Sequence, residues 1–297
     1  MTKLDIPQGS LASFQAITFK FFKRWTKIIF KFLFFFLYSF SLFSQPSPTQ
    51  KIIQKYALRR PVLVIWKDFQ TQQNSIWGDI HLLNEKFLPG STFKLIAAQI
   101  YQEKKMKELY LCRGHQKING KNLFCWKSEG HGWLSLSSAL EQSCNLFFVQ
   151  LTQKIAVSDW IEKLKFYFPS QRNRQLYSRI EFAKSMIGDN PRIRLSPQEM
   201  FDFWEKYLQG IQKNSDQEIL QALKQIQEEG TLKRLRYSIL GKTGTSDSGL
   251  KSFKTDAWIL GAYPSEHPRY LFLVFMRNAH AFKEPVDLLN KILEELR

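Results

Sequence analysis

The feature that most constrains the fold is the placement of the strand-forming segments, which lie at the two ends of the chain around a long helix-forming region. Apolar runs with β-branched residues predict two strands before that region and three after it: 61–66, 74–79, 238–245, 257–263 and 270–277. If strands so far apart in sequence share one sheet, the segment between them is an insertion. The sequence therefore predicts an α+β fold, in which a sheet is built from both ends of the domain around a helical insertion.

The region between the predicted strands carries helical patterns. Pro-Gly breaks the chain before a serine at 89–91, and the apolar period that follows predicts a helix. Apolar residues also follow helical spacing over 134–155. Ser196 and Glu199 have the spacing of a capping box, which predicts a helix N-terminus. A final amphipathic helix is predicted at 285–297, and the helical subdomain is expected at about 95–234.

The N-terminal part of the chain differs in composition from the rest and predicts a membrane-directed segment. Residues 1–27 are basic, residues 28–44 are mostly apolar, and the polar residues 45–60 predict an extended linker. A basic flank before an apolar run is typical of an export signal or an uncleaved signal anchor, and the long basic lead-in favours the anchor. The positive-inside rule then places the folded domain, residues 61–297, outside the cytoplasm.

The chain is strongly basic, with a formal net charge of +17 over 297 residues. Such a charge is compatible with nucleic acid, anionic lipid or an anionic polymer as a partner. The sequence has no zinc-finger spacing and no basic run interleaved with aromatic residues, so no nucleic-acid partner is predicted. The five histidines show no metal-binding spacing, and the sequence predicts neither a metal nor another cofactor.

Three cysteines bear on the compartment of the protein. Cys112 and Cys125 flank a loop that contains Gly and Asn, so one disulfide could join them in an oxidising environment. Cys144 would then be left over as a small buried residue of a helix. His131 lies between two glycines and is interpreted as structural rather than catalytic.

Three short motifs carry candidate chemistry, and the first is Ser91-Thr92-Phe93-Lys94. Residues three apart on a helix share a face, so the Lys94 amine can reach the Ser91 hydroxyl. A serine hydroxyl becomes an effective nucleophile when a base takes its proton. Lys94 can be that base if burial or a second cation lowers its pKa, and Lys242 could supply the cation. Ser91, Lys94 and Lys242 are therefore candidate catalytic residues.

The second motif, Ser143-Cys144-Asn145, lies in a break between two helical segments. The Ser143 hydroxyl could relay a proton, which makes Ser143 a fourth candidate catalytic residue. The Asn145 amide could hold a substrate carbonyl group or fix the position of Lys94. Asn145 is therefore a candidate substrate-binding residue.

The third motif, Lys242-Thr243-Gly244-Thr245, lies in a predicted strand. Its two threonines could hold a substrate carboxylate, and its glycine would let a substrate backbone lie flush against the strand. The backbone N–H groups of Thr245 and Ser91 would form an oxyanion hole. A P-loop interpretation fails, because Arg236 stands where that motif requires glycine.

In this order, the three motifs resemble those of the penicillin-binding transpeptidases and the related serine β-lactamases. The resemblance covers roughly residues 60–290 and extends to segments around the motifs: 87–94, 125–126, 130–132, 139–148, 187–188, 195–198, 242–246 and 255–258. It implies the serine transpeptidase fold, in which an antiparallel sheet covered by helices stands beside an all-helical subdomain. The site is expected between these two parts.

The resemblance implies a D,D-transpeptidase or D,D-carboxypeptidase that acts on peptidoglycan stem peptides through an acyl-serine intermediate and is acylated by β-lactam antibiotics. It places the enzyme at the outer side of the cytoplasmic membrane and suggests a cell-wall synthesis protein as a partner. The short spacing between the motifs is also similar to class D β-lactamases and β-lactam sensor domains, which remain alternatives. Those families have an apolar residue where Asn145 stands, and a polar residue there favours an acyl-enzyme that water clears slowly.

Three other residues have a structural or open interpretation. Trp258 is expected to pack in the core of the sheet. Arg277 could face a substrate carboxylate or the solvent. Glu181 lies in the interval where class A β-lactamases carry their deacylating glutamate, but the sequence around it does not match that pattern.

Overall fold

The computed structural model describes residues 47–118, 120–171, 177–213, 217–226, 230–247 and 255–296. The predicted basic segment 1–27 and the predicted anchor or signal segment 28–44 lie outside these residues. Within the described ranges, no helix is both long enough and apolar enough to cross a membrane.

The described residues form nine strands and nine α-helices. In chain order the strands are β1 Val62–Asp68, β2 Gln73–Gly78, β3 Tyr110–Cys112, β4 His115–Ile118, β5 Lys121–Phe124, β6 Gly132–Leu134, β7 Leu240–Asp247, β8 Thr255–Tyr263 and β9 Tyr270–Met276. The helices are α1 Pro48–Ala57, α2 Lys94–Glu103, α3 Leu136–Glu141, α4 Asn145–Lys154, α5 Val157–Tyr167, α6 Arg179–Met186, α7 Pro197–Lys213, α8 Gln217–Gln225 and α9 Glu284–Glu294.

A five-stranded antiparallel sheet has the order β2-β1-β9-β8-β7. Its first two strands precede the helical region in sequence, and its last three follow it. Strand β1 pairs with β9 along its whole length, from Val62 opposite Met276 to Asp68 opposite Tyr270. This topology confirms the predicted α+β fold with a sheet built from both ends of the domain.

Alternate residues of the central strands face two separate apolar cores. In β1, Leu63 and Ile65 belong to the larger core, which includes most of the helical region, whereas Val62 and Val64 belong to the smaller core. All four side chains are at most 2% exposed. Because both faces of the sheet are covered, β1 is a continuous apolar run instead of an alternating one.

Helix α1 corrects one expectation. The polar composition of residues 45–60 predicts an extended linker, but Pro48–Ala57 form a helix whose Ile53 is 1% exposed in the smaller core. Proline is well suited to the first turn of a helix, because the N–H that it lacks would have no helical partner there. Burying Ile53 contributes about 1.5–3 kcal/mol. The tertiary contact thus stabilises a ten-residue helix that would be marginal alone.

The insertion between β2 and β7 holds helices α2 to α8, together with two pairs of short strands, β3 with β6 and β4 with β5. The predicted capping box at the start of α7 is confirmed. The backbone N–H of Ser196 donates to the Glu199 carboxylate at 2.8 Å, and the N–H of Glu199 donates to Ser196 Oγ at 3.2 Å. The short strands were not expected, because three or four residues are too few for an alternating pattern to stand out.

Candidate active site

The candidate nucleophile Ser91 lies in a single 3-10 turn, Gly90–Phe93, that leads directly into α2. The turn is tied to the sheet through the carbonyl oxygen of Leu88, which accepts a hydrogen bond from the indole of Trp258 at 3.0 Å. Trp258 is fully buried, as its expected place in the core requires. Lys94 is the first residue of α2, and its Nζ lies 3.0 Å from Ser91 Oγ.

Two glycines let β7 approach this turn closely. Gly90 has a φ of +57°, and a Cβ there would lie 2.6 Å from the carbonyl oxygen of Thr245. A Cβ on Gly244 would lie 2.8 Å from the carbonyl oxygen of Pro89 and 2.9 Å from Thr92 Cγ2. Gly244 therefore permits contact between β7 and the serine turn. This contact explains the glycine differently from the sequence, which predicts that Gly244 lets a substrate backbone lie flush against the strand.

Lys94 is completely buried, and burial lowers its pKa to about 8, an effect that two nearby cysteine sulfurs oppose. Besides Ser91, its Nζ contacts the carbonyl oxygen of Ser143 and Oδ1 of Asn145, each at 2.7 Å. These two oxygens can only accept, so each takes one N–H of the lysine. Two hydroxyls lie near the remaining position on the nitrogen, and Ser91 Oγ at 3.0 Å is nearer than Ser143 Oγ at 3.3 Å. In its neutral form, Lys94 can therefore accept the Ser91 proton with its lone pair.

Ser143 lies between two lysines. Its Oγ is 3.3 Å from Lys94 Nζ and 3.0 Å from Lys242 Nζ. Ser143 has a φ of +52°, a conformation that costs a non-glycine residue on the order of 1 kcal/mol. This strained residue precedes Cys144, the N-cap of α4. The strained backbone therefore belongs to the residue whose hydroxyl contacts both lysines.

Lys242 is also completely buried. Burial, and then the nearby charge of Lys94, lower its pKa well below the ordinary value for a lysine. Its Nζ lies 3.2 Å from the carbonyl oxygen of Thr243. Two buried lysines around one hydroxyl favour a state in which they do not both carry a positive charge.

The Asn145 amide is fixed by two partners of opposite polarity. Its Oδ1 accepts from Lys94 at 2.7 Å, and its Nδ2 donates to the carbonyl oxygen of Phe124 at 3.3 Å. Phe124 ends β5, so the pair β4–β5 reaches the site. This contact was not predicted from the sequence, because nothing in the spacing of the motifs points to Phe124.

The two threonines of the third motif lie on one face of β7, since they are two residues apart. The Thr243 hydroxyl is buried and forms a hydrogen bond with the hydroxyl of Thr231. Thr245 is half-buried. Thr231 was missed in the sequence because it belongs to no motif and meets β7 only in the folded chain.

Arg277 and Glu181, whose roles the sequence left open, make their contacts away from the two lysines. The Arg277 guanidinium donates to Asp256 at 3.3 Å and lies 3.7 Å from Glu85, so it is paired with acids instead of facing solvent alone. Glu181 accepts from the backbone N–H of Ser178 at 2.7 Å as part of the capping box that starts α6. This contact gives Glu181 a structural role.

These contacts bring Ser91, Lys94, Ser143 and Lys242 together, with Asn145 beside them. They form a hydroxyl next to a buried amine of lowered pKa, and a second hydroxyl that leads to a second buried lysine. A proton can move along this series without crossing open solvent. The arrangement is suited to acyl transfer through an ester of the serine.

Comparisons with known proteins agree with this geometry. The model of the family described as penicillin binding protein transpeptidase domain matches residues 68–294. Stage V sporulation protein D of Bacillus subtilis (strain 168) is 29% identical over 102 residues, which make up 33% of this chain and 16% of that protein.

Solved structures support the same fold. Penicillin-binding protein PBP2 from Helicobacter pylori superposes with a TM-score of 0.70 at 15% identity, covering 84% of this chain and 63% of that one. That relative is also known in a complex with MreC. The transpeptidase domain of Burkholderia pseudomallei penicillin-binding protein 3 gives a TM-score of 0.68 at 16% identity, covering 84% of this chain and 93% of that one. The family model covers most of the chain, and the chain therefore belongs to the penicillin-binding protein transpeptidase domain family.

Proposed function

We propose that this chain is a serine D,D-transpeptidase or D,D-carboxypeptidase that acts on the D-Ala-D-Ala ends of peptidoglycan stem peptides. The observation that carries the proposal is the 3.0 Å contact between Ser91 Oγ and the buried Nζ of Lys94, whose pKa is lowered to about 8. A lysine in water has a pKa of about 10.4 and is a poor base at neutral pH. Membership of the family supports the substrate class.

In the acylation step, Ser91 Oγ attacks the carbonyl carbon of the penultimate D-Ala while its proton passes to Lys94 Nζ. The carbonyl oxygen becomes an oxyanion, which the backbone N–H groups of Ser91 and Thr245 stabilise. The close packing of Gly90 on Thr245 supports this pairing of donors. Loss of such a donor typically raises the barrier by about 3–4 kcal/mol.

The C–N bond then breaks, and the departing amine of D-Ala takes a proton relayed from Lys242 through Ser143. Lys94 passes the proton that it took from Ser91 to Lys242 through the same Ser143 hydroxyl, so that Lys94 is neutral again and Lys242 is recharged. The acyl group is left on Ser91 as an ester. An amine of a second stem peptide, or water, attacks this ester while Lys94 accepts its proton. The same proton returns to Ser91 Oγ when the ester bond breaks, which restores the enzyme.

We assign Asn145, Thr243, Gly244 and Thr245 to substrate binding. The hydroxyls of Thr243 and Thr245 hold the terminal carboxylate, and Thr231 orients the first of them. The positive charge of Lys242 in β7 favours an anionic group beside this strand. The Asn145 amide holds both Lys94 and the peptide.

A class D-type β-lactamase is the alternative, and Asn145 argues against it. Class D turnover depends on a carboxylated lysine in an apolar pocket, whereas Lys94 donates to Asn145 Oδ1 at 2.7 Å. A carboxylate added to Lys94 would meet this oxygen and be repelled, since the amide is held in place by Phe124. Rapid, bicarbonate-dependent hydrolysis of nitrocefin would favour the β-lactamase. A β-lactam sensor or a scaffold protein would instead form the acyl adduct with a β-lactam but release no peptide product.

We place the domain outside the cytoplasmic membrane, attached through residues 28–44 unless that segment is cleaved. The family acts on the cell wall, and one of its members is known in complex with MreC. A protein of the cell-wall synthesis machinery is therefore the partner class that we propose. No nucleic acid is involved in this proposal.

Intact-protein mass spectrometry with a penicillin tests the proposal. We expect one penicilloyl group to add to the wild type and to persist, and we expect the Ser91→Ala variant to remain unmodified. A synthetic stem peptide ending in D-Ala-D-Ala should release D-Ala only with the wild type. Equal labelling of wild type and variant, or no release of D-Ala, would sink the proposal.

A further inference from the structure

Three cysteines and one histidine come together beside the active site. The ligand atoms of Cys112, Cys125, His131 and Cys144 all lie within 4.8 Å of one another. Cys112 Sγ and Cys125 Sγ are each 3.5 Å from His131 Nδ1, and Cys125 Sγ is 3.8 Å from Cys144 Sγ. All three cysteines are free thiols and buried, so the disulfide considered from the sequence is not formed.

The three measured distances between ligand atoms match edges of a zinc tetrahedron. With Zn–S bonds of about 2.3 Å and Zn–N bonds of about 2.05 Å, tetrahedral angles put two sulfurs about 3.8 Å apart and a sulfur about 3.6 Å from a nitrogen. The Cys125–Cys144 distance is 3.8 Å, and both sulfur–nitrogen distances are 3.5 Å. Three of the six edges therefore already have the length that a bound zinc ion requires, and the other three are at most 4.8 Å long.

The fold brings these four residues from separate elements. Cys112 ends β3, Cys125 follows β5, His131 precedes β6, and Cys144 caps α4. Their spacing in sequence follows no finger pattern, which explains why it predicted no metal site. The turns around them are tight.

Glycines hold these turns together. A Cβ on Gly130 would lie 2.2 Å from the carbonyl oxygen of Cys112, and a Cβ on Gly114 would lie 1.8 Å from that of Ser128. The backbone N–H of Cys125 also donates to the Gly114 carbonyl at 2.8 Å. The ligand-bearing loops are thus packed backbone against backbone, as a preformed site needs.

We propose that Cys112, Cys125, His131 and Cys144 bind one structural zinc ion. Three thiolates with one imidazole are a soft donor set that suits zinc, and four protein ligands leave no open position for catalysis. Binding releases the three thiol protons to solvent, and the neutral His131 contributes the lone pair of Nδ1. The metal joins the two pairs of short strands to α4.

The site holds the second active-site motif in place. Cys144 lies between Ser143, which has a strained φ of +52°, and Asn145, whose Nδ2 donates to the residue before Cys125. A zinc ion on Cys144 and Cys125 fixes both sides of this segment. Cys144 is therefore a positioning residue for Ser143 and Asn145, and through them for Lys94.

Metal content of the full chain tests the binding site. We expect about one zinc ion per chain by elemental mass spectrometry after purification without added metal. His131→Ala should lose the zinc, and His131→Cys, which restores four ligands, should keep it. His115→Ala is the matched control, because His115 is an exposed histidine of the neighbouring strand β4. A Co²⁺-loaded protein should show the absorption of tetrahedral cobalt thiolate.

A wild type that contains no zinc and takes up no Co²⁺ overturns the site and leaves a cluster of buried thiols. Iron or copper in place of zinc overturns the identity of the metal. If the His131→Ala variant is insoluble, chelator treatment of the wild type takes its place in the test. Zinc should then leave the protein, and the temperature of unfolding should fall.

The positioning role is tested by the acylation of Ser91, and this part rests on the proposed function. Zinc removal should lower the maximal rate of acylation by a fluorescent penicillin at least about tenfold, with little change in the half-saturating concentration, and added zinc should restore the rate. Unchanged acylation of zinc-free protein overturns the positioning role alone. If zinc-loaded wild type is never acylated, the proposed function is contradicted. The measured metal content then still tests whether the four residues bind zinc.

Discussion

Lys94 and Lys242 set the charge of the active site, because both are completely buried. In the described part of the chain, the partners of Lys94 are hydroxyl, carbonyl and amide oxygens, and none of these carries a full negative charge. The effect of burial on the pKa of Lys94 is therefore not offset by an ion pair. The pKa stays low enough for the amine to act as a base.

The rate of Ser91 acylation should rise with pH and level off above about pH 8, because only neutral Lys94 accepts the serine proton. Stopped-flow measurement with a fluorescent penicillin gives this profile. The Lys94→Arg variant stays charged and should be inactive across the range. A rate that does not change between about pH 6 and pH 9 would contradict the role of Lys94 as a base.

The same pKa predicts the sign of a stability change. Lys94 has a pKa of about 8 in the folded protein and about 10.4 in the unfolded chain, so the unfolded chain binds more protons between these values. The contribution of Lys94 to the free energy of unfolding should therefore increase as pH rises through this window. In denaturant titrations, the free energy of unfolding of the wild type should rise relative to that of Lys94→Met as pH increases across the window, and a difference that does not change with pH would contradict the lowered pKa.

Gly244→Ala should slow acylation and destabilise the protein by about 1–3 kcal/mol. Its Cβ would lie 2.8 Å from the Pro89 carbonyl, so β7 must move away from the serine turn. Gly210→Ala is the matched control, since a Cβ there meets nothing within 4 Å, and alanine should stabilise helix α7 by up to about 1 kcal/mol. Denaturant unfolding and penicillin labelling of both variants check this pair, and equal effects would refute the steric explanation.

At the scale of elements, the sequence was most informative where a motif lies within one helix or strand. Ser91 and Lys94 are three residues apart, from the 3-10 turn into the start of α2, so their contact follows from helical geometry. Contacts between elements could not be derived in this way. The cluster around Cys144 and the bond from Asn145 to Phe124 depend on turns that only the folded backbone defines.

Helix α1 should be part of the folded domain, so Ile53→Ala should lower the free energy of unfolding by about 2–5 kcal/mol. Ile53 is 1% exposed, whereas Leu58, just after the helix, is 89% exposed. Leu58→Ala should therefore have little effect and serves as the control. If Ile53→Ala unfolds at the same denaturant concentration as wild type, α1 does not contribute to the core.

At the scale of the molecule, the sheet and the helical insertion share one core. Leu63 of β1, Phe147 of α4 and Trp258 of β8 all belong to it. The overall α+β layout could be predicted because the strand-forming segments at both ends have no other way to bury both faces. Loss of either end of the chain should therefore remove strands that the rest of the sheet requires.

The shared core predicts that residues 48–296 unfold in a single transition. Tryptophan fluorescence and far-ultraviolet circular dichroism should give the same midpoint in a denaturant titration. A lower midpoint for one of the two signals would show that the helical insertion and the sheet unfold separately.

The position of β7 has a consequence for behaviour in solution. In the described part of the sheet, β7 pairs with β8 on one side only. An unpaired strand edge can accept an extended peptide, and it can equally accept the edge of another copy of the protein. The formal net charge of +17 keeps copies apart at low ionic strength, but salt screens this repulsion. In the proposed function the substrate lies beside β7, so a substrate bound there would also cover this edge against association with another copy.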